Sequence, residues 1–193
     1  MYDIQKYTDI VKSRLSEKRF YHSICVAKKA KELAIQYHLD PEKAYLTGVL
    51  HDITRHSDTL WQLQYMTENG YTPTSVERGN PNLLHQISGA LFVKNELKID
   101  DEEIINAIRC HTTGKADMSL FETVIYIADV ISDDRNYPDL QQMRAQTEKG
   151  LLYGMLFALR YVIESCLSKN MPLHPDTLFC YNWVAENLEK ENQ

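Results

Sequence analysis

The chain has 193 residues, which suits one domain with a sizeable core or at most two small ones. Its 44% hydrophobic and 25% charged residues are ordinary for a soluble globular protein. The net charge of −6 argues against broad, non-specific binding to nucleic acid but is compatible with a local basic pocket for phosphates. No apolar run approaches the roughly 18 residues of a membrane span, and the amphipathic N-terminus lacks the apolar stretch of a signal peptide.

The cysteines are scattered, with no C-x-x-C spacing among Cys25, Cys110, Cys166 and Cys180. This excludes the usual zinc ribbon and thioredoxin-like motifs. Four isolated thiols in a chain of this length fit a reducing compartment, so the sequence predicts a cytoplasmic protein.

The first half of the chain shows helical periodicity with clear start signals. Asp40 suits an N-cap, and Pro41 suits the first helical position because its missing N–H costs nothing there. Gly70 fits the left-handed cap that ends a helix, and the aperiodic residues 71–80 are predicted to form a surface loop. The predicted helices cover residues 2–16, 18–38, 40–53 and 58–69.

The second half repeats the same signals. Asn80 and Pro81 open a helix predicted to reach Leu97, and Asp100 with Glu103 resembles a capping box for the next one. A capping box at Ser119 precedes LFETVIYIADVI, which is apolar enough to require burial. Further helices are predicted over residues 139–169 and 175–188. Without any strand alternation, the sequence predicts an all-α fold with a single domain over residues 1–193.

Polar residues at inward positions of these helices are candidates for a metal site. A single inward histidine is more often a hydrogen-bonded core residue, and the adjacent His51 and Asp52 could form a partly exposed pair at a helix end. Asp129 is more informative, because it interrupts an apolar run and a buried carboxylate must be paired or coordinated. The candidate ligands are His22, His51, Asp52, His85, His111 and Asp129.

Nitrogen and oxygen donors without cysteine favour iron, manganese, cobalt, nickel or zinc over copper(I) or calcium. Six ligands are too many for one hydrolytic ion with open positions, but they suffice for two ions about 3.5–4 Å apart that share a carboxylate. His38 and His56 are predicted at the surface and His174 in a loop.

The candidates lie in five blocks: RFYHS at 19–23, GVLHDI at 48–53, LLHQISGA at 83–90, AIRCHTTG at 107–114 and YIADVISDDR at 126–135. In this order they resemble the HD-domain metal-dependent phosphohydrolases, and within them the YqeK-type symmetrical bis(5′-nucleosyl)-tetraphosphatases. The resemblance spans nearly the whole chain and implies an all-α HD fold with a dinuclear centre, often of iron. His22, His51, Asp52 and Asp129 would take one ion, while Asp52, His85 and His111 would take the other.

Such enzymes cut diadenosine tetraphosphate symmetrically into two molecules of ADP. The expected nucleophile is a metal-bound hydroxide, and Asp52 is the expected catalytic bridge between the ions. The family pattern HDxxK is broken by Arg55. Because arginine keeps the charge but is a poor proton donor, we expect Arg55 to act in catalysis by stabilising charge.

Arg19, Arg55 and Arg135 are candidate phosphate contacts, although each could instead be a surface residue or an ion-pair partner. Thr112, Thr113 and Gly114 could bind the nucleotide or merely cap a helix. The expected partner is a small dinucleoside polyphosphate or nucleotide rather than nucleic acid or a membrane, and a homodimer stays open. The alternatives are another HD nucleotidase, acting on a nucleoside mono- or triphosphate or a guanosine alarmone, and a non-catalytic nucleotide sensor.

Overall fold

The structure, a computed structural model, describes residues 2–191 and consists over that range of helices, turns and loops without a strand. The all-α prediction is confirmed. The helices are α1 (Ile4–Arg14), α2 (Glu17–Gln36), α3 (Pro41–Leu50), α4 (Thr59–Glu68), α5 (Ser75–Gly79), α6 (Leu84–Asn95), α7 (Glu102–Cys110), α8 (Leu120–Ile131), α9 (Leu140–Lys149), α10 (Leu151–Ser168) and α11 (Pro175–Glu191).

Local sequence signals set most of the helix starts. The side chains of Asp3, Ser16, Asp40 and Asp58 accept hydrogen bonds from backbone N–H groups in the first turns of α1 to α4. The predicted capping box of α8 is present, since Ser119 and Glu122 exchange side-chain and backbone hydrogen bonds. These caps satisfy N–H groups that have no partner within the helix.

The prediction that residues 71–80 form a surface loop is wrong. They contain α5, which begins with a capping box between Thr74 and Glu77. Glu77 is fully buried and also accepts a hydrogen bond from Tyr71 Oη at 2.7 Å. The pKa of Glu77 falls to about 2 because the nearby His174 and these hydrogen bonds outweigh the opposing effect of burial. His174 was predicted only to lie in a loop. Its Nε2 lies 3.5 Å from Glu77 Oε1, so it is a buried partner of Glu77.

Three predicted boundaries also differ. Residues 81–83 form a 3₁₀ turn before α6, so the helix starts later than expected. Asp101 rather than Asp100 caps α7, because its carboxylate accepts from Glu103 N and Ile104 N. The pattern over residues 139–169 is divided into α9 and α10 at Gly150, a residue type that weakens helices.

The close packing of α3 on α2 positions the candidate site. A Cβ atom at Gly48 would lie 2.5 Å from Ala27 Cα and 2.7 Å from Ala27 N. These are backbone atoms and cannot move aside independently of α2. Glycine at position 48 therefore lets the end of α3, with His51 and Asp52 directly after it, approach α2 and His22.

We predict that Gly48→Ala lowers the free energy of unfolding by about 1–3 kcal/mol or more, the usual scale of overpacking. Urea denaturation measures the change. Gly79→Ala is the matched control, because a Cβ at Gly79 meets no atom within 4 Å. Equal stability of Gly48→Ala and the unmodified chain would show that α2 and α3 can separate without cost.

Among the described residues, α10 alone is long and apolar enough to cross a membrane by length and composition, contrary to the expectation that no segment approaches that length. The same composition is found in core helices. Leu151, Met155, Ala158 and Leu159 of α10 are buried in the core that α8 and α11 share.

Candidate metal centre

All six candidate ligands lie in one buried cluster. His22 projects from α2, His85 from α6 and Asp129 from α8, while the other three directly follow the ends of α3 and α7. None of these side chains is more than 14% exposed. The prediction that these six side chains face inward is confirmed, and the fold brings them together from five helices or the residues that follow them.

One half of the cluster surrounds Asp129. Its Oδ1 lies 2.9 Å from His22 Nε2 and 3.9 Å from His51 Nε2. The donor atoms of these three residues all lie within 4.8 Å of one another, a spacing that one metal ion can bridge. His22 Nε2 is also 3.9 Å from Asp52 Oδ2, which connects this half to the next.

The other half of the cluster surrounds Oδ1 of Asp52. Asp52 Oδ1 lies 3.2 Å from His85 Nε2 and 3.9 Å from His111 Nε2, and the two imidazole nitrogens are 3.0 Å apart. Asp52 Oδ2 faces the opposite way and lies 3.2 Å from His51 Nε2. The two oxygens of one carboxylate therefore lie nearest to different histidines, and the donor atoms of His51, Asp52 and His111 also lie within 4.8 Å of one another.

The donor set fits a cation. His51 Nδ1 lies 2.7 Å from the Gly48 carbonyl and His111 Nδ1 lies 2.7 Å from the Ile108 carbonyl. Because a carbonyl only accepts, each Nδ1 carries a proton, and the Nε2 of the neutral ring points a lone pair into the cluster. His51 Nε2 is buried without a hydrogen-bond partner, and Asp52 Oδ2, which faces it at 3.2 Å, is met only by the charge of Arg19 Nη1 at 2.9 Å. Buried lone pairs that face each other need a positive charge between them.

Without a metal ion, Asp52 outweighs the opposing effect of burial and raises the pKa of His51, so a bound cation would take the place of that proton. Burial opposes ionisation of Asp52, but His51 outweighs it and holds the pKa of Asp52 well below its usual value. Burial likewise opposes ionisation of Asp129, whereas Arg135 and His22 hold its pKa well below normal. Burial and the neighbouring histidines lower the pKa of His111 to about 3. The cluster thus offers carboxylates and at least one neutral imidazole at neutral pH.

Asp134 is a functional candidate that the sequence analysis did not identify. Its Oδ2 lies 2.8 Å from His22 Nδ1, and Ser132 Oγ donates to its Oδ1 at 2.7 Å. A carboxylate on the far nitrogen fixes the tautomer and ring orientation of a ligating histidine. The only sequence signal was its position five residues after Asp129 in the same block.

A buried polar network behind His85 was also missed. Thr54 Oγ1 donates to the His85 carbonyl at 3.1 Å and contacts Ser88 Oγ at 2.8 Å. Ser88 Oγ in turn donates to Gln62 Oε1, and Gln62 Nε2 donates to the Ser57 carbonyl. This network joins the turns after α3 to α4 and α6. It therefore fixes the position of His85 relative to Asp52.

The three candidate arginines all lie at the cluster. Arg19 Nη1 is 2.9 Å from Asp52 Oδ2, and Arg135 is paired with Asp129. Arg55 has a different environment: its Nη1 donates to the Asn82 carbonyl at 2.8 Å and lies 2.9 Å from His85 Nδ1. Its Nη2 donates to Asn82 Oδ1. Arg55 thus links a candidate ligand to the 3₁₀ turn.

The predicted nucleotide contacts in HTTG are only partly accessible. Thr112 lines the cleft over the cluster. Thr113 and Gly114 are buried, and their backbone N–H groups are already bound by Gln86 Oε1 and the Cys110 carbonyl. These two residues do not reach the cleft. Gln86, beside His85, instead holds the segment that follows His111, a role the sequence analysis did not identify.

A cleft of about 180 Å³ opens over the cluster. All three arginines line it, together with Asn82 and Thr112 and four of the candidate ligands. Positive charge around an opening of this size suits phosphate groups.

Comparison with known proteins agrees with the fold. Residues 19–134, which contain all six candidate ligands, match the family model described as HD domain. The symmetrical bis(5′-nucleosyl)-tetraphosphatase of Halalkalibacterium halodurans is 35% identical over 177 residues, covering 92% of this chain and 94% of the relative. The protein of the same name from Bacillus subtilis is 33% identical over 175 residues, covering 91% and 94%.

A solved structure extends the similarity to three dimensions. A crystal structure from Clostridium acetobutylicum, described as a predicted HD superfamily hydrolase involved in NAD metabolism, superimposes with a TM-score of 0.93. It is 33% identical, and the match covers 97% of this chain and 99% of the other.

Proposed function

The chain belongs to the HD-domain family of metal-dependent phosphohydrolases, and we propose that it cuts diadenosine tetraphosphate symmetrically into two molecules of ADP. The observation that carries the proposal is the position of Asp52, whose Oδ2 lies 3.2 Å from His51 Nε2 and whose Oδ1 lies 3.2 Å from His85 Nε2. This arrangement suits two cations at the centre of a long polyphosphate. The proposed substrate is the one in the names of the two relatives, which match more than nine-tenths of this chain.

The HD domain implies divalent metal ions, and we propose that this chain holds two of them, preferably iron. His22, His51, Asp52 and Asp129 would hold one ion, and Asp52, His85 and His111 the other. Manganese, cobalt, nickel or zinc would also suit these donors. Bound ions of this kind lower the pKa of a water molecule and neutralise charge on phosphoryl oxygens.

The chain's own residues position the polyphosphate. Arg19 and Arg135 lie beside the two carboxylates and line the cleft, where their forked guanidinium groups can bind phosphate oxygens. Arg55 lines the same cleft and supplies a charge for the departing nucleoside diphosphate. Since ADP leaves through an already acidic phosphate, the reaction needs charge stabilisation there more than a proton donor.

Product analysis tests the proposed reaction. We expect metal-loaded protein to convert diadenosine tetraphosphate into ADP as the sole nucleotide product, and chelator-treated protein to be inactive. Chromatography of the products at early time points makes the measurement. Formation of ATP with AMP, or no cleavage by protein with bound iron or manganese, would contradict the proposal. A nucleotide panel separates it from the other HD nucleotidase activities.

Metal content is a separate prediction. Protein purified without chelator should contain clearly more than one transition-metal equivalent per chain by elemental analysis, because the cluster offers more donors than one open site uses. His111→Ala should lose metal, whereas His38→Ala should not, since His38 is exposed. A reproducible value near zero that added iron or manganese does not restore would refute the two-metal site.

We further propose that the protein works in the cytoplasm on small molecules rather than nucleic acid. All four cysteines are free thiols, which suits a reducing compartment. The net charge of −6 gives no general attraction for nucleic acid, while the arginines concentrate positive charge at the cleft.

A further inference from the structure

The C-terminal end of α8, the helix that carries Asp129, is closed by side chains. The last carbonyls of a helix have no N–H partner within it, and the last turn of α8 contains no basic residue. Arg135 Nε donates to the Asp129 carbonyl at 2.8 Å, and Tyr137 Oη donates to the Val130 carbonyl. The carbonyls of the next two residues are bound by Arg144.

Arg144 reaches this helix end from α9. Its Nε donates to the Ile131 carbonyl at 3.2 Å, and its Nη2 donates to the carbonyls of Ile131 and Ser132, each at 3.0 Å. A guanidinium group suits this position because its planar fork offers several donors and its charge is favourable at the negative end of a helix dipole. The carboxylate of Asp133 is 3.9 Å away and largely exposed, so the backbone carbonyls are the closer partners.

The residues that Arg144 holds lead directly to a candidate metal ligand. Ser132 is buried, and its hydroxyl donates to Asp134 Oδ1 at 2.7 Å. The other carboxylate oxygen, Asp134 Oδ2, lies 2.8 Å from His22 Nδ1. Arg144 therefore fixes the backbone of the residue whose side chain orients Asp134, and Asp134 in turn orients His22.

The segment after α8 has few hydrogen bonds of its own. Between α8 and α9 the backbone forms turns and loops without a helix, and the Arg135 N–H donates to the Ser132 carbonyl at 3.1 Å. Side-chain donors from other elements therefore decide where this segment lies. Arg144 is well placed for that task, because the adjacent Met143 is buried in the core and anchors α9.

We propose that Arg144 is a positioning residue for the metal centre, which keeps Asp134 on the outer nitrogen of His22 by holding the carbonyls of Ile131 and Ser132. This inference rests on the proposed function, in particular on its metal binding. It adds a residue of α9, which lies outside the residues 19–134 that match the HD domain.

Binding of manganese to the full chain, measured by equilibrium dialysis without substrate, tests this role independently of turnover. Arg144→Ala should weaken manganese binding by roughly tenfold, the lower end of the effect of losing a partner that orients a ligating histidine. Arg144→Lys keeps the charge but loses the fork, so its affinity should lie between those of Arg144→Ala and the unmodified chain.

A double variant separates positioning through Asp134 from any other effect of Arg144. If Arg144 acts through Asp134, the combination of Arg144→Ala with Asp134→Ala should bind manganese no more weakly than Asp134→Ala alone. The reason is that the carboxylate positioned by Arg144 is already absent. An effect by another route would add to that of Asp134→Ala.

Arg160→Ala is the matched control, since Arg160 is an exposed arginine on the neighbouring helix α10. It should leave manganese affinity unchanged. Unchanged affinity in Arg144→Ala, or full additivity with Asp134→Ala, would overturn the proposal. If Arg144→Ala does not fold, unchanged affinity in Arg144→Lys would overturn it instead.

Cleavage of diadenosine tetraphosphate by the unmodified protein is measured separately from manganese binding. Cleavage together with unchanged manganese affinity in the Arg144 variants would reject the positioning role alone. Manganese binding that depends on Arg144, in a protein that does not cleave the dinucleotide, would reject only the proposed substrate.

Discussion

Asp52→Ala is expected to abolish turnover more completely than His85→Ala. Asp52 is the residue whose two oxygens reach both halves of the cluster, 3.2 Å from His51 Nε2 and 3.2 Å from His85 Nε2. Its removal should impair both ion sites, whereas loss of His85 should weaken one. In excess metal, residual turnover should therefore survive only in His85→Ala. Steady-state rates and metal equivalents of the two variants make the comparison.

Asp52→Asn and Asp134→Ala sharpen this test. The asparagine variant keeps the size of the side chain but loses the charge that balances two cations, so it should behave like Asp52→Ala. Asp134 contacts His22 at Nδ1, the ring nitrogen opposite the one that faces the cluster. Asp134→Ala should therefore cost about 10–100-fold in metal affinity or activity, the usual effect of losing such a partner. If His85→Ala were inactive while Asp52→Ala retained turnover, the bridging assignment would be wrong.

Arg55→Ala is expected to lower turnover by roughly 10²–10³-fold, the scale of losing one preorganised charge contact. Arg55 lines the cleft and is held by Asn82 and His85, so its guanidinium is already fixed beside the phosphates. Arg55→Lys should lose far less, because lysine keeps the charge even though it cannot form all the contacts of the fork. Measurement of kcat across pH for both variants tests the role.

The pH profile separates charge from proton donation at position 55. If the position donated a proton, lysine would outperform arginine and a new basic limb would appear in Arg55→Lys alone. If neither substitution changed turnover, Arg55 would only anchor the 3₁₀ turn. Asn82→Ala is the control for that anchoring, since it removes the Nη2 contact and leaves the charge.

Much of the local structure was predictable because it depends on neighbouring residues. Asp40 with Pro41 and Ser119 with Glu122 specify helix starts through hydrogen bonds that span three residues or fewer. Helical periodicity placed His22 and His111 on inward faces, and the apolar run around Asp129 indicated that it is buried. A buried carboxylate such as Asp129 then required a partner, whatever the fold.

The sequence analysis failed where the outcome depended on distant residues or on a weak local signal. The Thr74 capping box was visible in the sequence, but α5 is too short to show periodicity, and its Glu77 is held by Tyr71 and by His174 almost a hundred residues later. Similarly, Thr113 was predicted as a possible nucleotide contact, but its backbone N–H donates to Gln86 Oε1 of α6.

The sequence by itself determined most of the helices, the chemistry of the donors and, through five ordered blocks, the family. Tertiary structure decided which Asp52 oxygen faces which histidines, how Asp134 orients His22, and that Arg19, Arg55 and Arg135 line one cleft. The physical reason is the distance along the chain over which each kind of interaction acts. Caps and periodicity act within a few residues, whereas the distances between donor atoms depend on how closely helices approach, as α3 approaches α2 at Gly48.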